Sequence, residues 1–319
     1  MNRSYYFNYI EERLDLLSLR IKRRGKLNLL ELNIHSENFY RDLLNLLYGW
    51  DLENMNVAHQ NEKAIDLMDA NNKLVVQVSA TNTKVKIQDS LSKLNFREYT
   101  FKFLSIAAES SDNLRKENYK IPEGIKFAPS DDILDVDSIL RVVESLDIDK
   151  LKRLCDFVER ELGCMDVLKI NQSDLVTVIK LLAQNDLSNS EVSVSTQEDF
   201  QIESKINHNQ LRISRAIISE HKVYQNMVNK VYSSFDEMGQ NKSLFVLNKI
   251  RKVYIQGRDS RYGDELFGWI TDTIMQEVAK RMDGENLSIE AIEMYVDILI
   301  VDAFIRCKIF ENPNNHVTA

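Results

Sequence analysis

Within the stretch from Glu62 to Leu94 the chain gathers an acid, an amide and two lysines: Asp66, Gln77, Lys84 and Lys86. Carboxylate and amide oxygens are hard donors of the kind Mg²⁺ accepts. An ammonium beside them can neutralise charge on a phosphoryl group or orient a water, so the set suits hydrolysis of a phosphodiester. Each residue also has a plainer use. Asp66 can bond its own turn, Gln77 can occupy the solvent face of a half-buried strand, and Lys84 and Lys86 can line a solvated helix face.

The surrounding elements must bring these groups together. Apolar runs Ala64–Met68 and Leu74–Ala80 flank Asp69-Ala70-Asn71-Asn72, which predicts a hairpin with Asp66 near the end of one strand and Gln77 within the next. After Thr81-Asn82-Thr83, the residues Val85, Ile87, Leu91 and Leu94 recur at helical spacing, so a helix capped by a hydroxyl or amide residue leaves the second strand. Upstream, Ser36 reads as an N-cap and Glu37–Tyr48 as a helix. Glu37 falls in its first turn, where an acid serves the helix dipole as readily as a metal.

A strand carrying an acid, a hairpin, a strand carrying an amide and a helix packing back resemble the core of the PD-(D/E)xK nucleases. The resemblance implies that Asp66 is the principal ligand of Mg²⁺ or Mn²⁺, with Gln77 and Glu37 completing the protein donors. It also implies a lysine two residues after Gln77, but Ser79 stands there. The missing ammonium then comes from Lys84 or Lys86, with Lys86 favoured. The wider wording from Leu29 to Asn82, above all NIHSENFYRDLLNLLYGW and QVSATNT, resembles the SMEK domain, a nuclease-like domain at the N-terminus of proteins in bacterial conflict systems. That resemblance covers about residues 1–125 and implies a restriction-endonuclease-like α/β fold.

Composition narrows the alternatives. The 319 residues, 44% apolar, suffice for two or three domains, and only 9 Gly and 3 Pro favour helices over long loops. A net charge of −8 speaks against a chain that coats nucleic acid as a whole, so any contact with DNA must be local. Three scattered cysteines form no CxxC pair and fit a reducing cytoplasm. No segment reads as a membrane span, and no phosphate-binding glycine loop, GxSxG elbow or HExxH pair is present. Residues 5–24 read as an amphipathic helix ending in Arg20, Lys22, Arg23, Arg24 and Lys26. That basic run could grip phosphates, or simply complement a helix C-terminus stopped at Gly25.

Tyr99–Ala107 reads as a central strand, and Pro122, Gly124 and Pro129 place the end of the first domain near residue 128. Asp131, Asp132, Asp135 and Asp137 read as a helix start for Val136–Leu146 rather than a metal site. Residues 129–204 are expected to be a helical connector with a polar linker over Gln184–Glu203, and residues 205–319 a helical bundle with apolar stripes such as Ile289, Ile292, Val296, Leu299 and Ala303. Tyr254, Tyr262, Phe267 and Trp269, near the glycines at 257, 263 and 268, are candidate anchors for self-association or partner binding.

The closing wording DAFIRCKIFENP resembles the C-terminal domain of effector subunits of ABC-three-component, or Lamassu-type, defence systems. That resemblance implies an SMC-like ATPase and a small third subunit as partners. Taken together, the expectation is a metal-dependent DNA endonuclease of an antiphage system, cytoplasmic and oligomeric. The alternative is a nuclease-fold scaffold that has lost catalysis, which Ser79 and the acidic net charge favour.

Overall fold

The computed structural model describes residues 1–26, 31–55, 65–107, 110–163, 171–183, 199–281 and 287–313. The chain divides into two units, Met1–Cys164 and Met165–Ala319.

The first unit is an α/β sandwich around a mixed sheet. Helices α1 (Asn2–Lys26) and α2 (Glu31–Tyr48) precede β1 (Glu53–Asn54), β2 (Leu67–Asp69) and β3 (Leu74–Ser79). Then come α3 (Lys84–Ser92), β4 (Tyr99–Ser105), α4 (Asp112–Arg115), β5 (Ile125–Lys126), α5 (Pro129–Asp132), β6 (Ile133–Leu134), α6 (Val136–Ser145) and α7 (Ile148–Leu162). The sheet runs β1-β2-β3-β4-β5, and β6 also pairs with β4. The β1–β2 and β2–β3 pairs are antiparallel, and β3–β4, β4–β5 and β4–β6 are parallel.

Alternation along the strands divides the core by sheet face. Val76, Val78 and Leu104 pack with Ile10, Leu14, Leu43 and Val158 from the helices α1, α2 and α7, and with α6. Val75, Phe101 and Phe103 pack on the other face with Ile87 and Leu91 of α3. β3 is buried along its whole length, as a central strand with both faces covered must be.

Two boundaries differ from the sequence expectation. α2 begins at Glu31 and not after Ser36, so Ser36 lies inside the helix, its hydroxyl donating to the Leu32 carbonyl at 2.6 Å. A serine satisfied by the carbonyl four residues back mimics a cap in sequence without being one. α2 ends at Gly49, whose φ of 70° is the left-handed stop that glycine permits. Asn45 then fixes the exit, bonding both the amide (2.8 Å) and the carbonyl (3.1 Å) of Leu52.

The second difference is the domain border. Residues after 128 continue the first unit, because β6 adds to β4 and α6 and α7 supply Ile139, Val143, Leu151 and Phe157 to the core under α1. The Pro and Gly residues at 122–129 therefore punctuate a turn within the unit. The helix start at Asp135 is as expected. Its side chain accepts from the Ser138 amide while the Ser138 hydroxyl meets the Asp135 amide, a reciprocal capping box.

The second unit is helical: α8 (Gln172–Leu182), α9 (Asp199–His208), α10 (Ser214–His221), a 3₁₀ turn (Lys222–Tyr224), α11 (Gln225–Glu237), α12 (Lys242–Gly257), α13 (Gly263–Lys280) and α14 (Ile289–Ile305). Of the expected polar linker over Gln184–Glu203, residues 184–198 lie outside the described residues and 199–203 are the first turn of α9, not linker. The bundle is larger than four helices, and α14 is not a one-stripe helix: thirteen of its residues are buried, so it is the helix the others surround. No helix among the described residues is long and apolar enough to cross a membrane.

The distinctive wording FIRCKIFENP closes a buried polar network. Lys205 is fully buried and donates to the carbonyls of Phe304 (2.6 Å) and Ile309 (2.8 Å), its ammonium 4.2 Å from the Phe304 ring centroid. Arg306 pairs with Asp302 at 2.8 Å and also bonds Asn229. Asn209 holds both the amide and the carbonyl of Glu311. Burial lowers the Lys205 pKa to about 8 and raises that of Asp302 to about 6, the latter in spite of the guanidinium beside it.

Candidate catalytic pair and adjoining cleft

The hairpin forms as its sequence predicts, and Asp69 closes it. Asp69 is fully buried and accepts from the Asp51 amide (2.8 Å), the Asn72 amide (2.9 Å) and the Asn72 side chain (2.7 Å). Burial alone would raise its pKa, but these bonds together hold it below the usual carboxylate range. The turn-bonding role open to Asp66 thus belongs to the aspartate three residues later.

Asp66 lies in the bend just before β2, half-buried. Its backbone amide bonds the Val76 carbonyl (3.3 Å) and its carbonyl takes the Met55 amide (2.8 Å), so the residue bridges two neighbouring strands. Continuing the β2–β3 register, in which Leu67 faces Val76, puts Asp66 opposite Gln77. The side chains meet: the Gln77 amide nitrogen donates to Asp66 Oδ2, which also accepts the Val78 amide at 2.7 Å. The acid and the amide named from sequence are therefore in direct contact, on the α3 side of the sheet.

Ser79, where the lysine of the nuclease pattern would stand, is 7% exposed and bonds its own loop, accepting the Thr81 amide at 3.0 Å. Thr83 caps α3, its side chain accepting from the Lys86 amide. Lys84 and Lys86, two residues and so about 200° apart around the helix, face different ways. The Lys84 ammonium pairs with Glu117 at 2.8 Å, and Gln88, one turn on, bonds the backbone of Lys120 at 2.8 and 2.9 Å. That flank of α3 faces the loop leading to β5. Lys86 is on the other flank, half-buried, and its ammonium has no hydrogen-bond partner among the described residues.

Glu37 lies in the second turn of α2, half-buried. Its neighbour Asn38 accepts from Asn54 of β1 at 3.0 Å, which sets this part of α2 against the β1 edge. Of the basic run on α1, Arg23 is 3% exposed, inside the unit and away from any surface that would meet a phosphate backbone, while Arg20, Lys22 and Arg24 are half-buried and engaged within the molecule. Lys26 ends α1, and its side chain lies outside the described residues. No group of three His, Cys, Asp or Glu side chains able to hold a metal ion occurs among the described residues. The donor set at the pair is one carboxylate and one amide. This meets the lower limit for Mg²⁺, which keeps several waters and is held by one or two carboxylates, provided the Gln77 amide turns its oxygen inward.

Sequence reasoning missed a second feature of this unit, a cleft of about 350 Å³ on the opposite face of the sheet. Lys102 projects into it from β4, paired with Asp132 at 2.7 Å. Trp50 and Tyr48 form a stacked pair on one wall, 4.4 Å between centroids. Arg115 is held by Asp135 (2.8 Å), Asp112 (2.7 Å) and the Ile133 carbonyl (3.0 Å). Only YGW at the end of α2, two aromatics beside a helix stop, was a sequence signal for it.

The candidate interface aromatics of the second unit divide. Phe267 is fully buried, and Trp269 covers Gly257 so closely that a Cβ there would stand 2.5 Å from its ring. Tyr262 remains 77% exposed beside a cleft of about 460 Å³ shared with Tyr254, Arg258 and Phe310.

Comparison with protein families gives two matches. Residues 9–144 match the model of the SMEK domain, and residues 173–311 match that of C-terminal domain 10 of the ABC-three component (ABC-3C) systems. No match is found among curated proteins or among solved structures.

Proposed function

From a SMEK domain followed in one chain by an ABC-3C C-terminal domain, we propose that this protein is the nuclease effector subunit of an ABC-3C antiphage system. In this reading the first unit cuts DNA and the second joins it to an SMC-like ATPase and a small third subunit. The observation that carries the proposal is the contact between Asp66 and Gln77 at the β2–β3 pair. The resemblance to the nuclease pattern nominated an acid and an amide on neighbouring strands, and a side-chain contact between Asp66 and Gln77 supports that reading.

Mg²⁺ or Mn²⁺, when bound, supplies positive charge to the phosphoryl oxygens and acidifies a water. The chain's own part is as follows. Asp66 and Gln77 would hold the ion through side-chain oxygens; Glu37, the further acid expected from sequence, lies on α2, which packs on the opposite sheet face from α3. Lys86, on the flank of α3 away from the Glu117 pair, sets its ammonium against charge developing on the scissile phosphate. Lys84, already neutralised by Glu117, contributes less. Self-association through the second unit, around Tyr262, presents two cutting centres to the two strands of a duplex.

The scaffold reading has its own support. Oδ2 of Asp66 accepts an amide of the β3 backbone, and Ser79 is committed to its loop, as expected if the acid is retained for folding. Incubating plasmid DNA with the full chain and Mg²⁺ or Mn²⁺, alone and with the partner subunits, separates the two. The nuclease reading expects cutting that Asp66→Asn abolishes while the fold is kept. Absence of cutting by every assembled form overturns it in favour of the scaffold.

A further inference from the structure

The cleft on the far face of the sheet serves neither reading, and its chemistry is specific. Val76 pairs with Lys102 and Gln77 with Phe103, so the β3–β4 register turns Lys102 away from the face that carries Gln77. The cleft also lies at the β4–β6 side, two strands from Asp66. It is a separate site.

Its wall cations divide by function. Lys102 and Arg115, 16% and 13% exposed, are neutralised by Asp132 and Asp135 and shape the wall. Arg141 of α6 and Asp131 of α5 are exposed, line the same cleft, and have no side-chain partner among the described residues. What the cleft offers a ligand is therefore an aromatic pair with the Lys102 ammonium 5.8 Å from the Trp50 ring centroid, one unpaired guanidinium and one unpaired carboxylate.

Each of the three asks for a different group. A stacked indole and phenol accept a planar ring. A guanidinium fork matches a phosphate with two parallel N–H donors. A carboxylate accepts from exocyclic amines or sugar hydroxyls. About 350 Å³ lies at the small end of ligand pockets and holds one nucleotide, not a duplex. We propose that this cleft binds a single nucleoside phosphate, its base against Trp50 and Tyr48, its phosphate on Arg141, and its amino or hydroxyl groups on Asp131. The ligand's chemistry is the same whether it comes as a free nucleotide or as the terminal unit of a nucleic acid strand. The inference does not depend on the nuclease reading.

The test titrates the full chain with AMP, dAMP, the corresponding nucleosides and a 5′-phosphorylated oligonucleotide, read by calorimetry and by tryptophan fluorescence. Saturable binding is expected. Arg141→Ala, a change at an exposed side chain, should weaken phosphorylated ligands about tenfold and leave nucleosides unchanged. Trp50→Leu should weaken both classes alike. Asp66→Asn should alter neither, so loss of cutting and loss of this binding are read apart. Binding of the oligonucleotide but of no free nucleotide fixes the source as nucleic acid and retains the proposal. No saturable binding of any of these ligands below a millimolar overturns it, as does binding that ignores both Arg141→Ala and Trp50→Leu in variants that melt as the parent does.

Discussion

Charge is handled differently in the two units. In the helical unit it is interior and saturated: Lys205 spends its ammonium on two carbonyls, and Arg306 is shared between Asp302 and Asn229. In the α/β unit the acid named from sequence sits half-buried just before β2, against the buried Gln77 of β3, and Lys86 of α3 has no hydrogen-bond partner among the described residues. The first arrangement specifies a fold, since a buried charge is tolerated only with its partners in place. In the second, Asp66 Oδ2 accepts from both the Gln77 side chain and the Val78 amide, so the acid is tied to the neighbouring strand while one edge of it stays accessible.

That contrast can be broken most forcefully at Arg306. Arg306→Ala strands the buried Asp302 carboxyl and should destabilise the second unit by about 3–5 kcal/mol, measured by chemical denaturation of the full chain. An effect under 1 kcal/mol would mean the network is ornamental.

The pH dependence is next in size. Lys205 has a folded pKa of about 8 against an ordinary 10.5, so the unfolded chain binds the extra proton between those values. Stability from this group is present above about pH 10.5 and lost as pH falls through about 8. The span corresponds to roughly 3 kcal/mol. Stability should rise between about pH 8 and 10.5 in the parent and stay flat over that range in Lys205→Met; equal slopes in the two proteins would refute the assignment.

In the α/β unit, Asp69→Ala should cost about 2 kcal/mol, because it orphans the amides of Asp51 and Asn72. Asp66→Asn keeps an acceptor for the Val78 amide and should change stability by less than about 1 kcal/mol while removing any cutting. If the two substitutions cost the same, the division of labour between these neighbouring aspartates fails. The smallest expected stability effect is at Lys84, whose exposed pair with Glu117 contributes at most about 0.5 kcal/mol. In a cutting assay Lys86→Ala should lose about a hundredfold and Lys84→Ala only a few-fold. The reverse order would move the ammonium to Lys84.

Local signals were legible in sequence, and long-range ones were not. The hairpin, the Thr83 cap of α3 and the Asp135 capping box each rest on residues within three or four positions of one another. The sequence placed Asp66 and Gln77 on the two arms of the hairpin; their side-chain contact is a finding of the structure. Lys205, by contrast, reaches carbonyls about a hundred positions away, and its significance depends on a burial that no local pattern reports. The start of α2 was misread because Ser36 followed by Glu37 has the wording of a cap. The domain border was misread because a two-residue strand, β6, carries little periodicity of its own. The Trp50 cleft was hidden for a related reason, since its wall is assembled from five separate stretches of chain.

The packing of α1 under α7 also sets a clock. Ile10, Leu14 and Ile21 belong to the first helix of the unit and Leu151, Leu154 and Val158 to the last, so the α/β core cannot close until nearly all of the unit has left the ribosome. At about 5–20 residues per second that wait is on the order of ten seconds. Throughout it α1 and α2 are already made, but the face of the sheet they cover still lacks α6 and α7. Under the proposed nuclease function, the order in which the helices are made would keep the unit inactive during synthesis.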